Sequence, residues 1–501
     1  MRRRALLSAL AGGSVTLSGC SVLSSRSDER STVTPAPVPD ETGDGSVPNG
    51  TDTDGPTTDD ATPGNEWLID PTRVVELETG PRTVALHSGS FHTHDAGTVV
   101  LAFDRTATAD HPARLRGYLE NGNDFEHTFH TEEIPGVGAV HADPVGRGDG
   151  SLHLVPTEHN DLAETVPDVT RSGGYWSLEG PRDVGPWMAE TYRMDPGERA
   201  LLEYHLVGEP WAAGAYEFSG DEAVLRAGVW NADSPGPDGD SRFDGRSVPS
   251  IGSGEDEMTV TWYHEADADT RAFVRPSTER LELNGRAEFE AINHSPEELR
   301  CGHWYLHKLV DGEWFFVGPA SHTADCRALT PGDRKQWVLR AYGGEAVPSD
   351  EHATHTAGYL GGGTYGVVAG YGLGTDNSGA LVELVGDSVE VVPTDGASAE
   401  RDDGAVTVTT EWYDEAEPSE RDRLVLTRAE EAGERLIAEV VMRERNRALR
   451  NALARAADDV ERVVVRTVEH AVDDAVGYDS DRRRFRFRGR AYEARRSAGE
   501  D

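Results

Sequence analysis

The sequence predicts a mainly β protein: two β-sandwich domains followed by a small α+β C-terminal domain. Three observations carry this. Short alternating or apolar runs fill residues 66–395, and clusters of Gly, Pro, Asp and Asn separate them. One order of strand and turn signals occurs twice in that stretch. From residue 405 strand signals mix with a 3.6-residue apolar stripe. The runs at 98–103, 200–206, 259–263 and 364–371 are expected strands, and no long helix is expected before residue 427.

The repeat has three parts. In the first copy Leu115, Leu119 and Asn121 keep a period of two. Pro196-Gly197-Glu198-Arg199 then opens a strand carrying Leu202, Tyr204 and Leu206, and Gly214-Ala215-Tyr216-Glu217-Phe218 closes the set. In the second, Phe289, Ala291 and Asn293 precede Pro331-Gly332-Asp333-Arg334, then Trp337 and Leu339, then Gly363-Thr364-Tyr365-Gly366-Val367. Asn and Pro-Gly make turns, and period two buries one sheet face. Asn121 lies about twice as far from its Pro-Gly as Asn293 does, which predicts an insertion around residues 143–185. Asp311-Gly312 between aromatic-rich runs signals a type I′ hairpin, whose central residues need positive φ. Folding the chain back there brings Cys301 opposite a residue near 322, so a Cys301–Cys326 disulfide is expected. Such a bridge contributes about 3–4 kcal/mol on a chain-entropy estimate. A metal pair with His303 or His322 is the alternative, although thiolate zinc sites usually recruit more ligands.

The second copy resembles bacterial immunoglobulin-like domains of surface lipoproteins. The residues that carry this are Phe289, Asn293 and Ser295, the run from Tyr305 through Leu309-Val310-Asp311-Gly312-Glu313-Trp314, then Leu329-x-Pro331-Gly332 and Gly363-x-Tyr365. The resemblance implies a β-sandwich on an extracytoplasmic face and supplies no catalytic residues.

The C-terminal part has its own order. Val406, Val408, Thr410 and Trp412 alternate as a strand, and Leu424-Val425-Leu426 forms another. Thr427-Arg428-Ala429-Glu430 reads as a capping box. It predicts a helix to about residue 457 with Leu436, Val440, Leu449, Leu453 and Ala456 on one stripe. A buried strand at Val463-Val464-Val465, a short helix over 469–476 and a last strand follow. In that strand Phe485 and Phe487 face inward and Arg484, Arg486, Arg488 and Arg490 outward. The Trp-Tyr-x-Glu-Ala run at 262–266 is echoed at 412–416.

The N-terminus reads as an address. Met1-Arg2-Arg3-Arg4 precedes about 13 small or apolar residues, too few for the roughly 20 that span a bilayer. Arg3-Arg4-Ala5-Leu6-Leu7 fits a twin-arginine pattern. Leu17-Ser18-Gly19-Cys20 resembles the lipobox of exported lipoproteins, a resemblance that implies cleavage before Cys20 and lipidation of its sulfur. Residues 21–64 are Ser, Thr, Pro, Gly, Asp and Glu with little to bury, as a disordered tether would be. The expected plan is therefore signal peptide 1–19, lipidated tether 20–64, sandwiches 65–250 and 251–395, and the α+β domain 405–501. The expected location is the outer face of the cell membrane, anchored by lipid.

The chain carries 90 acidic against 48 basic residues, a net charge of −42, and its lysines are Lys308 and Lys335. That balance disfavours nucleic acid and resembles proteins of extreme halophiles, whose acidic surfaces are screened by salt.

Chemistry-bearing residues are sparse. His87, His92 and His94 are weak metal candidates, since His92-x-His94 on a strand puts two imidazoles on one face. His303, Tyr305 and His307 share another face, where packing is the simpler role. Asp350, Glu351, His352 and His355 occupy a loop. Asp233, Asp238, Asp240 and Asp244 suit calcium, but the twelfth position of a calcium-binding helix-loop-helix counted from Asp238 is Pro249, not Glu. Asn49 and Asn293 lie in glycosylation acceptor patterns, the second useful only if solvent-facing. Gly-x-Ser-x-Gly is absent, and no cofactor is indicated. The function expected is non-catalytic: binding or structural, with the membrane and cell-envelope or secreted proteins as partners. The alternative is a metal-dependent extracellular enzyme or electron carrier using His87, His92 and His94. The Arg-rich end is expected to pair within the molecule.

Overall fold

Alternating burial builds the first sheet. Along strand Ala113–Asn121 every second residue is buried, so Leu115, Leu119 and Asn121 face one core. This strand lies in a ten-stranded sheet of order Val74–Leu77, Arg82–Leu86, Val224–Asn231, Gly214–Ser219, His141–Pro144, Leu152–Pro156, Arg199–Gly208, Ala113–Asn121, Gly97–Arg105 and Ser90–His92. The computed structural model describes residues 73–497 apart from 81, 147–149, 180–186, 209–211, 222, 233–240, 253–256, 301, 320–327, 352 and 371–376. Residues 65–501 group as one compact unit.

The sandwich expected here is built from one hydrogen-bonded sheet that folds over its own core: Leu101 and Leu225, from strands far apart in its order, lie 2.8 and 2.9 Å from a Cβ placed on Gly136. Strand Leu152–Pro156, inside the predicted insertion, pairs with both His141–Pro144 and Arg199–Gly208 and so joins what would otherwise be separate sheets. All five of its residues are buried. Its neighbours, Val169–Ser172 and Tyr175–Leu178, form a separate hairpin against the same core.

The second copy keeps two sheets. One contains Val260–Trp262, Asn377–Val385, Gly363–Ala369, Trp304–Val310 and Glu313–Gly318, with Arg280–Glu282 added along Asn377–Val385. The other is Ala272–Pro276, Gly285–Asn293, Arg334–Ala341 and Thr354–Ala357. Phe273, Phe289, Trp304, Trp337 and Tyr365 fill the core they share. The hairpin at Asp311-Gly312 forms as expected, with φ of 51° and 82°.

The repeat is legible in hydrogen bonds. Asn121 and Asn293 are both fully buried. Asn121 Nδ2 donates to the carbonyls of Phe125 and Met194 (3.0 and 3.1 Å). Asn293 Nδ2 donates to those of Glu297 and Leu329 (2.7 and 3.0 Å). Each Oδ1 accepts the backbone N–H two residues on, from Asn123 at 3.0 Å and Ser295 at 2.9 Å. Each backbone carbonyl accepts from the Pro-Gly turn, through Gly197 N at 2.9 Å and Gly332 N at 2.8 Å. Both turn glycines have φ of 71°. Tyr216 Oη and Tyr365 Oη each donate to the carbonyl four residues back, of Ala212 and Gly361, at 2.9 Å.

The C-terminal region is a seven-stranded sheet of order Ser398–Asp402, Ala405–Thr409, Arg462–Val468, Arg421–Arg428, Arg490–Arg496, Arg482–Phe487 and Glu434–Leu436. The helix expected over 427–457 is replaced by Glu434–Leu436 and the short helices Ala438–Val441 and Arg447–Leu453. Thr427 stays in strand Arg421–Arg428, because that strand is paired on both sides and its ladder outweighs a helix cap. Buried Asn446 separates the short helices by donating its side-chain amide to the Val440 carbonyl at 2.8 Å. The apolar stripe was sound: Leu436, Val440, Leu449 and Leu453 are all buried. The strand expected through Trp412 stops at Thr409, and helix Glu411–Glu415 follows. Helix Glu469–Val476 and the inward Phe485 and Phe487 occur as predicted. The echo is also structural. Val260–Trp262 and Ala405–Thr409 each pair in parallel with a longer strand, and a single helical turn follows each.

Candidate functional site

Two seams bring chemistry together. At the first, the two copies interlock through glycine. A Cβ on Gly228 would sit 2.3 Å from the carbonyl carbon of Pro331, and one on Gly332 would sit 2.7 Å from the carbonyl oxygen of Gly214. Both positions therefore require glycine for close backbone approach. Trp230 stacks on His294 with ring centres 5.4 Å apart, and Phe273 meets the same imidazole edge-on at 5.0 Å. Beside this contact lies a cavity of about 90 Å³ whose lining includes Asn231, Phe273, Arg275, His294 and Arg334. Arg275 is held by Glu290 at 2.7 Å, and Arg334 lies 3.9 Å from the same residue's other carboxylate oxygen. The result is a basic rim on a strongly acidic chain. Its volume is well below the roughly 300–1,000 Å³ of small-molecule pockets.

At the second seam the C-terminal region meets the second copy through a buried ion pair, Lys308 Nζ with Glu439 Oε1, whose side chains are 10% and 5% exposed. Gly361 N donates to the same oxygen at 3.2 Å, and Lys308 Nζ lies 5.2 Å from the centre of the Tyr365 ring. Burial, with the Glu439 charge adding to it, raises the Tyr365 hydroxyl pKa well above its usual value. Arg443 donates to the Gly358 carbonyl at 2.8 Å, and Arg435 pairs with Asp311 at 2.6 Å. The pair gives one of the chain's two lysines a structural use at this seam, beside the two arginines that also cross it.

The residues singled out by sequence fall as follows. Cys20, Asn49, Cys301, Cys326, His322 and His352 lie outside the described residues, as do Asp233, Asp238 and Asp240. Asn293 is not a surface acceptor, because its amide is buried and occupied as the corner of the repeat. No group of three or more His, Cys, Asp or Glu side chains is placed to hold a metal among the described residues, so His87, His92 and His94 do not assemble one. His92 Nδ1 contacts Thr98 Oγ1 at 3.1 Å, whereas His87 Nε2 lies 3.6 Å from Glu298. His307 is buried against Phe316 and Trp314, and desolvation lowers its pKa to about 4. His355 packs on Trp304 at 4.6 Å, and Glu351 pairs with Arg340 at 2.8 Å.

The Arg-rich end is tied inward. Arg483 pairs with Glu434, Arg484 with Glu493, Arg490 with Asp458, and Arg496 with Asp422 and Asp473. Sequence reasoning missed the Lys308–Glu439 pair, although the scarcity of lysine was a usable signal. It also missed His141 and His153, which only strand register brings together.

No protein-family model matches this chain, and no curated protein matches it. Among solved structures, a β-glucosidase from Listeria innocua in complex with glucose is 16% identical, with a TM-score of 0.15, over 24% of this chain and 16% of that one. The same organism's enzyme with gluconolactone gives 14% and 0.14 over 24% and 17%. Red sea bream transglutaminase gives 8% and 0.14 over 57% of this chain and 31% of that one. The chain thus spans about a sixth of the glucosidase length, and these likenesses carry no argument about function.

Proposed function

We propose that this chain is a lipid-anchored protein of the outer membrane face, with a non-catalytic binding or structural role in a saline medium. The observation that carries the reading is Leu17-Ser18-Gly19-Cys20 directly ahead of a polar, net-acidic stretch and a folded β unit. The small basic-rimmed cavity between the two copies suits a carboxylate side chain of a protein partner better than a drug-sized molecule. No helix among the described residues is long and apolar enough to cross a membrane.

The test is expression of the full chain in a haloarchaeal host with Cys20 intact or replaced. Wild-type protein should partition with membranes and detergent, and Cys20→Ser should release it or block its processing. Equal partitioning of the two would end the lipid-anchor reading. A pulldown from envelope extract in molar salt then addresses the binding role. The acidic composition predicts a melting temperature that rises between low and molar salt; a flat response would remove the halophilic reading.

A further inference from the structure

We propose that the open face of the C-terminal sheet docks onto the phosphates of a lipid bilayer, a proposal that rests on the anchoring reading above. Helices Arg447–Leu453 and Glu469–Val476 pack on one face of this sheet, against Leu424, Leu426, Val463, Val465 and Phe485. Successive side chains of a strand point to opposite faces, so the residues between these turn away from the helices. Arginines gather on that second side.

Register sets arginine against arginine there. Arg423 lies directly opposite Arg466, and Arg482 directly opposite Arg495. Residues so placed have Cβ atoms about 4.5–5.5 Å apart, and like charges in that position destabilise a sheet. Arg462 and Arg486 extend the same side, and both are exposed, as are Arg482 and Arg495. Among the described residues no carboxylate pairs with Arg462, Arg466, Arg482 or Arg495. The acidic residues that the strands add to this face are few. Glu493 is already bound to Arg484 at 2.6 Å, and Glu400 and Asp402 lie on the edge strand. A chain with 90 acidic and 48 basic residues has carboxylates to spare, yet this face sets arginine against arginine twice.

Chemistry and shape select the partner. A planar guanidinium fork matches a phosphate bidentately. The seven strands, about 4.8 Å apart, make a face about 29 Å wide, whereas small-molecule sites are concave. A broad array of cations fits a broad array of anions, and a bilayer of phosphate-bearing lipids presents one. On the anchoring reading, the lipid on Cys20 holds the folded unit beside such a surface. A lipidated residue and a basic patch then form a two-part anchor. The rest of the chain, at a net charge of −42, repels anionic lipid. Molar salt shortens the Debye length to about 3 Å, so that repulsion is screened and contacts at the face decide.

The experiment uses residues 21–501, which contain the whole compact unit but neither signal sequence nor lipid. Failure of this proposal and failure of the anchoring reading are thereby distinguishable. The protein is floated in molar salt with vesicles of phosphatidylglycerol or of phosphatidylcholine. At least tenfold more should rise with phosphatidylglycerol. Arg466→Gln/Arg495→Gln should lose at least tenfold of that binding. Its melting temperature should hold or rise, because each substitution relieves an arginine pair. Arg171→Gln/Arg300→Gln, at exposed arginines outside this sheet, should float like wild type. Equal flotation with the two lipids would overturn the proposal. So would an Arg466→Gln/Arg495→Gln variant that floats like wild type, or one that melts below it. Binding to polyglutamate without flotation would also overturn it, and would assign the face to an acidic protein.

Discussion

Asn121 and Asn293 close the same corner twice, and what surrounds them differs. In both copies a buried amide ties a strand end to the Pro-Gly turn, and a tyrosine hydroxyl caps the carbonyl four residues back. The strand beside that tyrosine shows the divergence. In the first copy Tyr216 faces Pro144 and Glu217 faces Asp143, whose side chain is 83% exposed. In the second copy the same register slots hold Lys308 opposite Tyr365 and His307 opposite Gly366, both buried. The first slot pair looks outward, and the second is covered by Glu439 on one side and Phe316 on the other. Local hydrogen-bond devices thus persist while the neighbour decides which charges a slot can hold.

Breaking the covered slot should have the largest effect. Glu439→Ala leaves Lys308 buried without its carboxylate, which costs about 3–5 kcal/mol and should shift the urea midpoint accordingly. Lys308→Met/Glu439→Leu should recover most of that loss, because an apolar pair avoids the desolvation cost. Full destabilisation in the double variant would mean that the pair contributes more than it costs to bury.

The buried imidazole gives the next effect. His307 has a folded pKa of about 4, below its unfolded value, so protons bind the unfolded chain preferentially between those values. Its contribution is intact above about pH 6.5 and falls progressively as pH drops toward 4, by about 3 kcal/mol over the whole interval. His307→Phe should flatten that part of the stability–pH curve. Asp143→Asn, in the equivalent exposed slot, should not.

The corners themselves test the equivalence of the copies. Asn293→Ala and Asn121→Ala each strand several buried backbone groups, and each should cost about 2–3 kcal/mol. A large difference between them would break the comparison. Smaller still, Tyr365→Phe and Tyr216→Phe each remove one hydroxyl bond, worth about 1 kcal/mol. Arg490→Ala, at the exposed start of the last strand, should not move the melting temperature measurably.

Much of the fold was legible because its signals are local. Period two marked Ala113–Asn121 and Gly285–Asn293, Asp311-Gly312 marked the hairpin, and Phe485 with Phe487 marked an inner face. The misreading at Thr427 came from a cap signal that competes with pairing partners 35 to 70 residues away, in Arg462–Val468 and Arg490–Arg496. The candidate sites were the least legible. His92-x-His94 attracted notice through adjacency, yet His141 and His153 meet only because an inserted strand pairs in one register.

The sequence by itself determined the strand periodicity, the two Asn and Pro-Gly corners, the acidic balance and the apolar stripe of the C-terminal region. Each of these rests on interactions within a few residues or on composition. The tertiary structure alone decided that the first copy forms one continuous sheet, that Lys308 finds Glu439, and that His141 faces His153. Those outcomes depend on register and on which surfaces are covered, and both are set by contacts far apart along the chain.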